Sequence, residues 1–213
     1  MSQAFANADG ARIVLDLIDM MKENRAYLSE VDGAIGDGDH GINMAKGFTM
    51  AGERIEADGG FSEALKTLGR TLMMEIGGSM GPLYGGFFKA MAKTAADAQD
   101  ITAELFGEML QAAYGEITRL GNATVGDKTL VDTLDPAIGA YKGAIGDGKS
   151  FSEALEAMRA AAEQGKESTR DLVAKVGRSS RLGERSRGVL DAGATSCWLI
   201  LDTMAGSMQQ LIG

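Results

Sequence analysis

Twelve consecutive residues, Asp32 to Asn43, hold three carboxylates, four glycines and the only histidine of a 213-residue chain. Their order is Asp32-Gly-Ala-Ile-Gly-Asp37-Gly-Asp39-His40-Gly-Ile-Asn43. Glycines between the acids let the backbone turn tightly enough to bring Asp32, Asp37 and Asp39 together. Converging carboxylates repel one another unless a cation lies between them. Three hard oxygen donors with no thiolate nearby suit magnesium or calcium, not zinc. The spacing is not that of an EF-hand. A magnesium site commonly completes its shell with phosphate oxygens, so the same residues point to a nucleotide. The alternative is a polar connection between helices, with Asp39 or Asn43 as a cap.

Three further stretches have unusual chemistry. Gly77-Gly-Ser79-Met80-Gly-Pro82-Leu-Tyr-Gly85-Gly86 opens a helix with proline in its first turn and Ser79 as a cap. Its glycines allow either close backbone approach to a phosphate or tight helix packing. Gly121 to Thr129 ends in Gly126-Asp-Lys-Thr. That resembles the end of a P-loop but lacks the preceding strand and the earlier glycine, so Asp127 reads as a helix cap. Lys175 to Gly188 places five basic residues among serines and glycines. It is either a solvated surface loop or a source of guanidinium groups for phosphate. Gly143 to Gly148 repeats the letters of Gly33 to Gly38 without the later acids and reads as a turn. Phe61-Ser-Glu-Ala-Leu and Phe151-Ser-Glu-Ala-Leu read as one helix-start signal used twice, Ser62 capping the first. Cys197 and Trp198 read as core packing.

The elements that must position these loops are helices. Alanine, leucine, methionine and glutamate dominate, prolines number two, and β-branched runs are missing. Apolar periodicity predicts about eight helices, over 9–31, 41–57, 61–76, 82–96, 102–120, 128–145, 151–166 and 192–211. Short loops and no linker make residues 1–213 one domain. In an up-and-down arrangement every second loop lies at the same end. The loops after helices one, three, five and seven are the four described above, so they converge on one rim whichever motif is read correctly. A net charge of −9 argues against nucleic-acid and anionic-membrane binding. The single cysteine excludes an internal disulfide. With no membrane-length apolar run, and with Met1 to Gly10 lacking a signal peptide's features, the expected location is the cytoplasm.

Taken together, Ile35-Gly-Asp-Gly-Asp-His-Gly-Ile-Asn-Met, Gly77-Gly-Ser-Met-Gly-Pro-Leu-Tyr-Gly, Gly126-Asp-Lys-Thr, Gly177-Arg-Ser-Ser-Arg-Leu-Gly-Glu-Arg-Ser and Asp191-Ala-Gly-Ala-Thr-Ser carry a resemblance. The chain resembles the nucleotide-binding L subunits of bacterial dihydroxyacetone kinases and the equivalent C-terminal domains of single-chain dihydroxyacetone and ketotetrose kinases. The resemblance implies an all-α, eight-helix antiparallel barrel with ADP or ATP at one rim. It implies two magnesium ions held by Asp32, Asp37 and Asp39. His40, Gly41, Ile42, Asn43, Ser79 and Met80 would contact the phosphate side; Gly121, Leu130, Arg178, Asp191, Ala192 and Gly193 would line the pocket. The family often has serine at Met80, which puts a hydroxyl contact in doubt, and proline at Ala192, which affects only the stiffness of that turn.

In family terms the triose is held by a separate K subunit, and a phosphocarrier of the sugar phosphotransferase system can recharge bound ADP. The chain would then be the nucleotide and metal subunit of a kinase acting on a triose or tetrulose. Phosphoryl transfer needs positioning and charge neutralisation more than a strong base. Arg178 is the candidate for stabilising developing charge, and His40 for a proton shuttle, a helix cap or a phosphate contact. The rival reading from another class is a nucleotide-sensing regulatory partner that catalyses nothing.

Overall fold

A computed structural model describes residues 4–212; Met1 to Gln3, part of the start read above for targeting signals, and Gly213 lie outside the described residues. The all-α expectation holds. The helices are α1 (Ala11–Glu23), α2 (Arg25–Gly33), α3 (His40–Gly52), α4 (Phe61–Glu75), α5 (Met80–Thr94), α6 (Ala103–Gly121), α7 (Val131–Gly146), α8 (Phe151–Ser168) and α9 (Ala192–Ile212). Each packs against the next, and α9 returns to α1 and α2, closing the ring.

The helix expected over 9–31 is two. At Asn24 the backbone leaves the helical basin (φ −91°, ψ 8°), and the Asn24 side-chain amide donates to the Met20 carbonyl at 2.9 Å. Competition of this kind between side chain and backbone bends the chain at an Asn. The break leaves the order of loops unchanged, because α1 and α2 together form one side of the ring. A two-stranded antiparallel ribbon, β1 (Ala4–Ala6) with β2 (Asp100–Thr102), also escaped the periodicity. Three-residue strands are too short to show an alternation.

The core holds two aromatic groups in edge-to-face contact: Phe48, Phe87 and Phe88 on α3 and α5, and Phe106, Tyr141 and Phe151 on α6 to α8. Such pairs each add about 1 kcal/mol beyond the area they bury. Two glycines set the α4–α5 distance. A Cβ on Gly85 would meet the Gly69 carbonyl, and one on Gly69 would meet the Gly85 carbonyl. Within α5 the glycines therefore serve packing. Gly78, at φ +72° with open space around it, belongs instead to the exposed loop ahead of that helix.

Three capping expectations are corrected, one being Ser79, which occupies the cap position of α5 but makes no side-chain cap bond. Ser62 does not cap α4; Gly60 occupies the cap position, and Asn7 from the first turn of the chain accepts the Ser62 N–H at 3.0 Å. The matching start of α8 differs because Ser150 precedes Phe151 there and forms a capping box with Glu153. Asp127 does not cap α7. Its carboxylate accepts Thr124 N–H, while Asp132 accepts the N–H groups of Gly126 (2.5 Å) and Thr129 (2.7 Å). The stretch from Gly143 to Gly148 is the end of α7 and a turn, as read. Cys197 is buried, and Trp198 is covered by the Lys166 ammonium 3.8 Å from its ring centre.

Candidate functional site

The connection between α2 and α3 folds back on Asp32. The N–H groups of Ile35 and Gly36 both donate to the Asp32 carbonyl, at 3.1 and 2.5 Å. Gly38, at φ +75°, reverses the chain where a side chain would be strained. Asp37 and Asp39, on either side of it, thereby reach Asp32. One ligand oxygen from each lies within 4.8 Å of the others, and among the described residues this is the one cluster of three or more metal-ligand side chains. Asp32 and Asp39 are half-buried and Asp37 is exposed, so the cluster opens to solvent. Asp39 sits at the cap position of α3 but spends no side-chain oxygen on capping, which leaves its carboxylate available. Three convergent, solvent-facing oxygen donors fit a hard divalent cation.

Positive charge comes from the connection that leads into α9, the helix that packs against α1 and α2. Arg178 opens a stretch of 3-10 turns (Arg178–Ser186), and its guanidinium is ion-paired with Asp37. The acidic loop and the basic loop thus meet, as the loop order requires. Lys175 pairs with Asp127 at 3.3 Å, joining the basic loop to the connection between α6 and α7.

His40 turns inward. The residue is 7 % exposed and its Nε2 lies 2.9 Å from the Ser196 hydroxyl, while its backbone N–H donates to Asp32 Oδ2 at 3.3 Å. The expected helix cap is therefore not made by this side chain. Burial lowers its pKa from 6.5 to about 4 against the opposing pull of Asp32, so the imidazole is neutral at pH 7. Gly41 is buried because a Cβ there would strike Arg25 O and Ser29 on α2. Ile42 is exposed and Asn43 half-buried in the first turn of α3.

The remaining expected residues form a neighbouring group. Asp191 Oδ2 accepts the Ala194 N–H at 2.7 Å, at the start of α9. Loss of solvation raises its pKa from 3.8 to about 6. A Cβ on Gly193 would touch Asp191 Oδ2 and Leu130, so the start of α9 lies against the start of α7. Ala192 and Leu130 are buried. Gly121 ends α6 ahead of Asn122 at φ 49° and faces Leu83 of α5. Ser79 is exposed at the cap position of α5 without a side-chain cap bond, and Met80 is half-buried.

Several residues that hold this rim together were not singled out in the sequence. Lys128 is 1 % exposed, and its ammonium donates to the carbonyls of Thr169 (2.5 Å) and Val189 (2.6 Å), pinning both ends of the basic segment. Burial lowers its pKa. The Thr133 hydroxyl donates to Ala194 O at 3.1 Å, and the Tyr84 hydroxyl to Gly193 O at 3.1 Å. The available signal was a lysine two residues before the apolar run Leu130-Val131, where a charge needs partners.

Comparison with known proteins places this geometry. Residues 34–206 match the model of the DAK2 domain. The chain is 39 % identical over 186 residues to the "PTS-dependent dihydroxyacetone kinase, ADP-binding subunit DhaL" of Lactococcus lactis, covering 86 % of this chain and 88 % of that one. It is 36 % identical to the "PEP-dependent dihydroxyacetone kinase, ADP-binding subunit DhaL" of Escherichia coli, covering 88 % and 90 %. To the D-erythrulose kinase of Mycolicibacterium smegmatis it is 33 % identical, covering 92 % of this chain but 35 % of that longer one. Among solved structures it is similar to the dihydroxyacetone kinase of C. freundii, with a TM-score of 0.71 and 25 % identity over 97 % of this chain and 36 % of that one. With a matched domain spanning most of its length and relatives of nearly equal size, the chain belongs to the DAK2-domain family.

Proposed function

We propose that residues 1–213 form one nucleotide-binding domain, the ADP- or ATP-binding subunit of a dihydroxyacetone-type kinase in the cytoplasm. In this reading the acceptor is the hydroxyl of a triose or tetrulose held on a separate K subunit. The observation that carries it is the convergence of Asp32, Asp37 and Asp39 within 4.8 Å, with Arg178 ion-paired at Asp37. Those carboxylates would hold two magnesium ions, which when bound neutralise phosphate charge. The N–H groups of Gly41 and Ile42 in the first turn of α3 would orient a phosphate, as helix N-termini do, with His40 and Asn43 on either side of them. Ser79 and Met80 border that side, and Gly121, Leu130, Asp191, Ala192 and Gly193 flank the nucleotide. Arg178 would supply positive charge near the transferred group. His40, neutral and turned inward, orients this turn more than it moves protons.

The test is nucleotide retention. Asp37→Ala with Asp39→Ala is expected to abolish magnesium-dependent ADP binding in calorimetry while the helical circular dichroism stays. Tight binding by that double variant overturns the reading.

The names of the L. lactis and E. coli relatives, PTS- and PEP-dependent, support a bound ADP recharged by a phosphocarrier over freely exchanged ATP. Purified chain, K subunit, triose and ATP should then give no multiple turnovers until the phosphocarrier system and phosphoenolpyruvate are added.

A further inference from the structure

Three helices meet at one hydroxyl. Ser196 Oγ of α9 lies 2.9 Å from His40 Nε2 at the start of α3 and 2.6 Å from the Tyr84 hydroxyl of α5. It also donates to Gly193 O at 3.1 Å, where the Tyr84 hydroxyl donates as well, at 3.1 Å. Ser196 is 0 % exposed and Tyr84 2 %. Buried polar groups of this kind must find their partners within the protein.

Counting protons fixes the arrangement. Ser196 and Tyr84 supply one hydroxyl proton each, and a third is available only when His40 carries its proton on Nε2. Then His40 donates to Ser196, Ser196 to Gly193 O, and Tyr84 to either oxygen. With the proton on Nδ1, Ser196 must donate to the ring and no longer serves Gly193 O. The Nε2–H form therefore satisfies more of the buried contacts.

We propose that Ser196 and Tyr84 are positioning residues of the metal–nucleotide site. They hold His40 as its Nε2–H tautomer and bind the first turn of α3 to the Gly193 turn of α9. The effect reaches the carboxylates through the backbone, because the His40 N–H donates to Asp32 Oδ2 and Asp39 is the adjacent residue. Orientation of ligands by hydrogen-bonded supporting residues commonly changes metal affinity by about 10–100-fold. The inference rests on the metal–nucleotide reading above.

The single histidine makes the test direct, since the labelled full-length chain has one pair of imidazole nitrogens. At pH 7 the wild type should show a protonated Nε2 and a bare Nδ1 by nitrogen-15 NMR. Ser196→Ala should mix the tautomers and weaken magnesium–ADP binding about tenfold in calorimetry, and Ser196→Thr should restore most of both. Tyr84→Phe should keep the tautomer and weaken binding by about threefold, since it removes one donor and leaves the His40–Ser196 bond. A wild type protonated on Nδ1 overturns the assignment, and so does a Ser196→Ala protein with unchanged tautomer and affinity. If Ser196→Ala fails to fold, the wild-type spectrum and the Thr and Phe variants decide the matter by the same criteria. A wild type that carries the Nε2 proton but binds no magnesium–ADP defeats the functional reading. One that binds, with affinity indifferent to Ser196, defeats the positioning role alone.

Discussion

Arg178 and Asp37 are ion-paired across the mouth of the rim, the guanidinium 62 % and the carboxylate 45 % exposed. The pair joins the segment before α9 to the loop before α3. Because Asp37 is also one of the three convergent carboxylates, the guanidinium and a divalent ion held there would compete for the same oxygens.

That competition is weak and measurable. An exposed pair contributes about 0.2–1 kcal/mol, so Arg178→Met should strengthen nucleotide-free binding of Mn²⁺ by at most about fivefold. The same substitution should weaken binding of the metal–ADP complex about tenfold, because a charge-assisted phosphate contact is lost. Opposite signs for the two affinities, measured by manganese EPR and calorimetry, are the expected result. Losses in both would mean that Arg178 supports the acidic loop instead of competing for it.

Two poorly solvated groups, the buried His40 and the half-buried Asp191, give the metal-free protein opposing pH responses. His40 binds a proton near 6.5 when unfolded and only near 4 when folded, so its contribution to stability falls as pH drops through that window. Asp191 is reversed: its pKa rises from 3.8 to about 6, so the folded chain holds the extra proton and stability falls as pH rises between those values. Each effect reaches roughly 3 kcal/mol at full extent. The two largely cancel from pH 4 to 6. Urea unfolding should show His40→Gln losing stability as pH rises through that range, and Asp191→Asn gaining it more steeply than wild type.

Substitutions at opposite ends of the barrel should separate folding from binding. The Asn7 amide donates to Ser62 Oγ, Ala95 O and Ala98 O, far from the rim. Asn7→Ala should cost about 2–4 kcal/mol of stability and leave the ADP affinity of the folded protein unchanged. Lys128→Met removes the ammonium from the Val189 carbonyl and leaves the Thr169 carbonyl with only the Leu172 N–H, and should cost about 1–3 kcal/mol. It should also weaken ADP binding, because those carbonyls frame the segment that carries Arg178. Thermal melts and calorimetry on both variants check the contrast.

The rim also exposes apolar side chains that neighbouring loops leave uncovered: Ile42, Met74 (69 % exposed), Leu120 and Val125. A mixture of this kind suits a surface that docks a partner and lets it go. Met74→Asp should weaken association with the K subunit about tenfold, with ADP affinity held constant. Surface plasmon resonance against that subunit measures it.

The helices and the convergence of their loops were legible because both follow from periodicity and loop order, which need no knowledge of any contact. Asp32, Asp37 and Asp39 could be named from the loop itself, whose residue types and intervening glycines already constrain the chemistry. Arg178 stood out from the other basic residues only through the family resemblance. Asn24 breaks a helix through one side-chain amide, a local competition that apolar spacing does not record. Tyr84, Ser196 and Lys128 were missed because each looks like an ordinary helix or loop residue until distant segments supply its partners. Ser62 misled for a similar reason: its N–H is satisfied by Asn7, which lies far back in the chain.

Closure of the ring by α9 against α1 has a consequence for synthesis. On the ribosome every earlier stave emerges before the one that seals the seam, and that last stave also brings Gly193 and Ser196 to the mouth. A chain halted before Ala192 would therefore leave the ring open and His40 without its Ser196 partner. Closure of the ring waits for α9 to be made, however much of the rest has already folded.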